Sequence, residues 1–135
     1  TMNTTTDLDD QTPTPIGDLT LQTVAMPGDT NPSGDIFAGW LVSQMDIAGA
    51  IKAVNITHSR VVTVAIDGMH FLTSVRVGSV VSCYAEVVEV GRTSVRVKME
   101  VWVDYHNNPE PIKVTECQFV YVSVNTQGQT VPIEH

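Results

Sequence analysis

Residues 36–54 are apolar around nearly the whole circumference of the helix their spacing predicts, with Ile36, Trp40, Leu41, Met45, Ile47, Ile51 and Val54 winding right round it. Such a helix is a buried one, because every apolar face left in water forgoes about 25 cal/mol per Å² of burial. β-Structure is the cover available. Residues 16–24 precede the helix, with Leu19 and Leu21 alternating with polar residues, and a loop containing Asn31, Pro32, Ser33 and Gly34 intervenes. Behind the helix come runs at 60–71, 79–90, 93–104 and 112–124, rich in Val and aromatic residues and separated by Gly or Pro. One helix set between a first strand and four consecutive strands predicts an α+β fold, in which a curved, mostly antiparallel sheet of about five strands wraps a long central helix.

A chain of 135 residues fits one domain, predicted over 16–135. Residues 1–15 are Thr, Asp, Asn, Gln and Pro with almost nothing to bury, and are expected to form a flexible tail. Charged residues make up only 16% against 42% hydrophobic, which predicts that part of the surface is covered by another subunit. A net charge of −8 with seven basic residues leaves no stripe able to neutralise nucleic-acid phosphates. Cys83 and Cys117 lie in alternating apolar runs without Cys-x-x-Cys spacing or a secretory-type leader, so reduced thiols and a cytoplasmic setting are expected. No apolar run reaches the ~18 residues of a membrane span.

Asp46 stands in the middle of this helix among Met45, Ile47, Ala48 and Gly49. A carboxylate there requires either a structural hydrogen-bond partner or a task, because desolvating its charge is costly. Three, four and seven positions away lie Gly39, Val42, Ser43, Gly49, Ala50 and Ala53, a small-residue stripe that lets something pack closely beside the acid. Ahead of the helix, the run Asn31-Pro32-Ser33-Gly34-Asp35-Ile36-Phe37-Ala38-Gly39-Trp40 sets free first-turn N–H groups beside a glycine and polar side chains, a place suited to developing negative charge. Asp35 or Ser33 is expected to cap the helix as well.

Ala25-Met26-Pro27, Asp29-Thr30-Asn31, Gly34-Asp35-Ile36-Phe37, Gly39-Trp40 and Ser43-Gln44-Met45-Asp46 resemble the YciA-type acyl-CoA thioesterases. The likeness continues through Arg60-Val61-Val62-Thr63-Val64, Gly68-Met69, Val77-Gly78, Gly91-Arg92-Thr93-Ser94 and Glu100-Val101-Trp102-Val103, spanning roughly residues 17 to 124. This resemblance implies a hotdog fold, hydrolysis of acyl-CoA to free fatty acid and coenzyme A, and a homohexamer built as a trimer of dimers. It also implies that Asp46 is the catalytic carboxylate, acting as general base on water or as nucleophile. Asn31 and Gly39 accompany it, Asn31 or Asp35 being its polar partner across the interface of two hotdog units. Substrate and coenzyme would be bound through Asp35, Phe37, Ala38, Arg60 and the turn Gly91, Arg92, Thr93 and Ser94.

The sequence departs from the family pattern at Ala38, where many members have Gly, and at Phe71-Leu72-Thr73-Ser74, which lacks the usual basic-proline pair. Arg92 in its turn offers a guanidinium to a coenzyme phosphate, whereas Arg96 and Lys98 read as a solvated strand face. His58, His70, His106 and His135 share no ligand spacing, so no metal site is expected, and no cofactor beyond the coenzyme A carried by the substrate. A hotdog hydratase would want a histidine in the loop before the helix, and residues 26–46 contain none. A non-catalytic acyl-CoA-binding or sensing protein is the alternative from a different class.

Overall fold

In the computed structural model, residues 13–105 and 108–134 are described. Strand β1 (Asp18–Val24) leads through a single 3-10 turn (Pro27–Asp29) to helix α1 (Ala38–Thr57). Strands β2 (Arg60–Phe71), β3 (Val80–Val90), β4 (Ser94–Asp104) and β5 (Ile112–Val124) follow. They form one sheet in the order β1-β3-β4-β5-β2, with every neighbouring pair antiparallel. The concave face holds α1, which touches all five strands. This is the hotdog arrangement.

Period-two alternation in β4 and β5 explains the core. Val95, Val97, Met99, Val101 and Val103 point at the helix, joined by Phe119 and Tyr121 from β5, and all are buried. Leu41, Met45, Ala48, Gly49 and Ala53 meet them from α1. The other side of the helix differs from the sequence expectation of burial all round. Ile47, Ile51 and Val54 are 49%, 45% and 41% exposed, so one chain covers only half of α1. Strand β2 is likewise an uncovered edge, with Val64 and Ile66 facing outward.

Capping by Asp35 or Ser33 does not occur. Phe37 is the N-cap and no side chain caps α1, because the Ile36 N–H bonds the Val75 carbonyl and holds the preceding segment extended. The Asn31 carboxamide closes the loop ahead of it instead, its Oδ1 accepting the N–H groups of Ser33 and Asp35 at 2.9 and 3.1 Å. At the other end the helix stops at His58, which adopts a left-handed conformation (φ 54°) and donates its N–H to the Val54 carbonyl.

The convex face is not simply solvated. Arg96 bonds Asp67, while Lys98 and Lys113 flank Glu100 at 3.8 Å each. Glu100 is only 1% exposed, and its Oε1 accepts from the Trp102 indole and from the Ile16 backbone of the segment lying over it. The tail predicted over 1–15 falls mostly outside the described residues, as do His106 and His135. No described helix is long and apolar enough to cross a membrane.

Candidate active site

Asp46 leaves the middle of α1 on the side facing β2 and β5. Thr63 and Tyr121 are cross-strand partners there, so their side chains share one face of the sheet. Both converge on one carboxylate oxygen. The Thr63 hydroxyl donates to Asp46 Oδ1 at 2.6 Å and the Tyr121 hydroxyl at 3.0 Å, the latter also lying 3.0 Å from the Asp46 carbonyl. Oδ2 has no hydrogen-bond partner among the described residues. The acid is therefore half-buried in a single chain rather than enclosed, with one oxygen fixed and the other free for chemistry.

Gly49, nearly one turn further along α1, makes this possible. A Cβ there would overlap the Tyr121 hydroxyl and lie 2.9 Å from its Cζ, so only glycine lets the phenol pass beneath the helix. Burial foremost, and the Asp46 carboxylate next, hold the Tyr121 phenol well above its ordinary pKa. It thus stays a neutral donor at any physiological pH. The stripe read from the sequence divides accordingly. Gly49 and Ala53 are buried, whereas Gly39 and Ser43 are open to solvent.

Asn31, Asp35 and Ala38 come together elsewhere, around a cavity of about 250 Å³ that is also lined by Phe71, Thr73 and Ser74. The Ala38 and Gly39 N–H groups have no hydrogen-bond partner among the described residues. A side chain at Gly39 would meet nothing in this chain. Phe37 is half-exposed beside them. Asp46 is not in this cavity. It lies five residues beyond Leu41, about 7.5 Å along the axis and about 140° round it.

Gly91, Arg92, Thr93 and Ser94 sit at the opposite end of the sheet. The turn is closed by a 2.8 Å bond from the Gly91 N–H to the Ser94 carbonyl. It is clamped where the Arg92 and Thr93 carbonyls accept from Ile133 and Ser123. Arg60 lies at that end too, donating to the Asn125 carbonyl at 3.3 Å. One chain thus presents three separate groups: the acid, the Asn31 cavity and the arginine turn.

Residues 33–108 match the thioesterase superfamily model. The chain is 55% identical over 126 residues to the acyl-CoA thioester hydrolase YciA of Escherichia coli, covering 89% of this chain and 95% of that protein. The chain belongs to the YciA-type acyl-CoA thioester hydrolases. Two crystal structures resemble it throughout. The hexameric thioesterase from Yersinia pestis is 48% identical with a TM-score of 0.86, covering 90% of this chain and 99% of that one. A hexameric hotdog fold thioesterase of Campylobacter jejuni is 45% identical with a TM-score of 0.82, covering 87% and 91%.

Within this YciA-type framework, Thr63 and Tyr121 are the residues that the sequence reading did not single out. Their only signal was a hydroxyl at an inward strand position. Tyr121→Phe removes one of two donors to the carboxylate and is expected to lower kcat about tenfold, a hydrogen bond to a charged group being worth about 1.5–3 kcal/mol. KM should change little, and steady-state kinetics on one thioester checks this. Gly49→Ala should lower both kcat and the melting temperature, since overpacking costs about 1–3 kcal/mol. Thermal denaturation followed by circular dichroism reads the second effect.

Proposed function

We propose that this chain hydrolyses acyl-CoA thioesters to a free fatty acid and coenzyme A, with Asp46 as general base or nucleophile. The carrying observation is the carboxylate itself, one oxygen held by Thr63 and Tyr121 and the other free. Such an acid is oriented by two neutral hydroxyls, which leaves its second oxygen available for either route. In this reading the unpaired first-turn N–H groups at Ala38 and Gly39 donate to the thioester oxygen as negative charge develops on it. No metal or separate cofactor enters this chemistry, coenzyme A arriving as part of the substrate.

The assembly proposed is the hexamer named for its relatives, a trimer of dimers. Support comes from the uncovered β2 edge and from Ile47, Ile51 and Val54, which leave an apolar face to be covered by a second copy. In such a dimer the Asn31 cavity of one chain would face Asp46 of the other. A cytoplasmic setting fits the two buried thiols. Burial pushes Cys83 and Cys117 up to about 12, which leaves them protonated and unreactive.

Arg92 is exposed and outside every ion pair among the described residues, and we assign it to a coenzyme phosphate. Arg92→Ala should raise KM more than it lowers kcat, and the KM effect should shrink for a thioester truncated to pantetheine. Equal effects on both substrates would refute that role. The test of the function as a whole is release of free thiol from a panel of acyl-CoA substrates of graded chain length. No release above the blank from any of them would overturn it.

A further inference from the structure

Seven basic residues serve a chain of net charge −8, so which of them remain uncommitted decides where a polyanionic substrate can be held. Lys52 bonds Asp18, Arg96 bonds Asp67, and Lys98 and Lys113 share Glu100 and Glu116. Arg60, Arg76 and Arg92 are left without a carboxylate partner among the described residues. Arg60 is tied to the Asn125 carbonyl. Arg76 is the one that lines a cavity adjoining the Asn31 cavity.

Its guanidinium carbon lies 5.9 Å above the centre of the Tyr105 ring, within the range of a cation–π contact. The Tyr105 hydroxyl in turn donates to the Ser74 carbonyl at 2.9 Å, fixing the ring against the same loop. Stacking orients a guanidinium while leaving its edge N–H donors available, the arrangement suited to a phosphate. Arg76 and Tyr105 line a cavity of about 330 Å³ together with Thr73, Ser74 and Asn108. Thr73 and Ser74 also line the Asn31 cavity, so the two spaces share a wall. The Thr73 and Ser74 hydroxyls make no hydrogen bond among the described residues and are free to join Arg76 on an anion.

We propose that Arg76, stacked on Tyr105, binds a phosphate of the coenzyme portion of the substrate whose acyl end enters beside Asn31. This rests on the thioesterase reading. It adds a second anion subsite, separate from the Arg92 turn. The two arginines flank opposite ends of β3, whose 11 residues span on the order of 30 Å. They therefore reach the same phosphate only from different subunits, and otherwise hold different ones.

The experiment uses the assembled protein. Kinetics of wild type and Arg76→Ala are measured on an acyl-CoA and on the matching acyl-pantetheine. Binding of adenosine 3′,5′-bisphosphate is measured by calorimetry on both proteins. Loss of a charge-assisted contact predicts a KM for acyl-CoA raised about tenfold. The truncated substrate should respond far less, and bisphosphate affinity should fall in parallel. Equal KM changes on the two substrates, or unchanged KM together with unchanged bisphosphate binding, would overturn the assignment. Should Arg76→Ala not assemble, Arg76→Gln is measured in the same way. If wild type hydrolyses neither thioester, the catalytic reading falls instead, and calorimetry alone then decides whether Arg76 binds the anion.

Discussion

Asp46→Asn should fold, assemble and bind substrate like the wild-type chain while losing about 10²- to 10⁴-fold in kcat. The amide keeps an oxygen where Oδ1 now accepts from Thr63 and Tyr121, so neither donor is left unpaired. What disappears is the second carboxylate oxygen, which in the proposed mechanism either takes a proton from water or attacks the thioester carbon. Asp46→Ala is the less informative variant, because it removes the acceptor of the Thr63 hydroxyl and leaves Tyr121 only the backbone carbonyl of residue 46, which mixes a stability loss into the kinetics. Turnover at saturating acyl-CoA, with circular dichroism and gel filtration to verify the fold, provides the measurement. Near-wild-type turnover in a folded Asp46→Asn protein would sink the assignment. A single turnover of wild type in H₂¹⁸O tests the nucleophilic route. Label in the Asp46 carboxylate requires a mixed anhydride that water opens at its aspartyl carbonyl. Label in the released acid alone arises from direct attack of water on the thioester or from opening of the anhydride at its acyl carbonyl.

Much of the fold was legible because long strands carry their pattern locally. The bounds read for 60–71 and 112–124 coincide with β2 and β5, and the inward set Val95 to Val103 follows from alternation alone. Helix ends were less legible. Ile36 continues the apolar pattern but spends its N–H on Val75, a contact nearly forty residues away in sequence. The stop at His58 carries no glycine to mark it. Glu100 shows a second limit. The strand pattern placed it correctly on the face away from the helix, yet it is buried, because the segment at Ile16 covers that face. Alternation tells which side a residue faces and not what lies over it.

The site shows the same division. Asp46 was conspicuous because a carboxylate in an apolar helix requires a reason. Thr63 and Tyr121 were not, since a threonine or tyrosine in a strand is ordinary and their meeting at Asp46 depends on the β2–β5 register. The small residue at 49 was visible as an opportunity for close approach, but what approaches it, the Tyr121 ring from the same chain, is a fact of tertiary structure.

Mixing two inactive variants should restore activity if each site draws on two chains. Within one chain Asn31 and Asp46 belong to different places. Asn31 faces the cavity with Ala38 and Phe71, while Asp46 is turned toward Thr63 and Tyr121. The Asn31 side chain uses its oxygen to close its own loop, which leaves the amide N–H₂ to point at substrate or at a neighbouring chain. In the proposed arrangement a two-fold dimer would carry two equivalent sites, each built from Asp46 of one chain and Asn31 of the other. Asp46→Asn and Asn31→Ala homodimers should then each be nearly inactive. In a heterodimer of the two, one site carries both lesions and the other carries neither, so about half of the wild-type activity per dimer should return. The measurement is thioester hydrolysis by doubly tagged heterodimers, purified in tandem after co-expression, beside both parent proteins. No recovery above the parents would mean that the two residues serve the same site from one chain, or that Asn31 serves none.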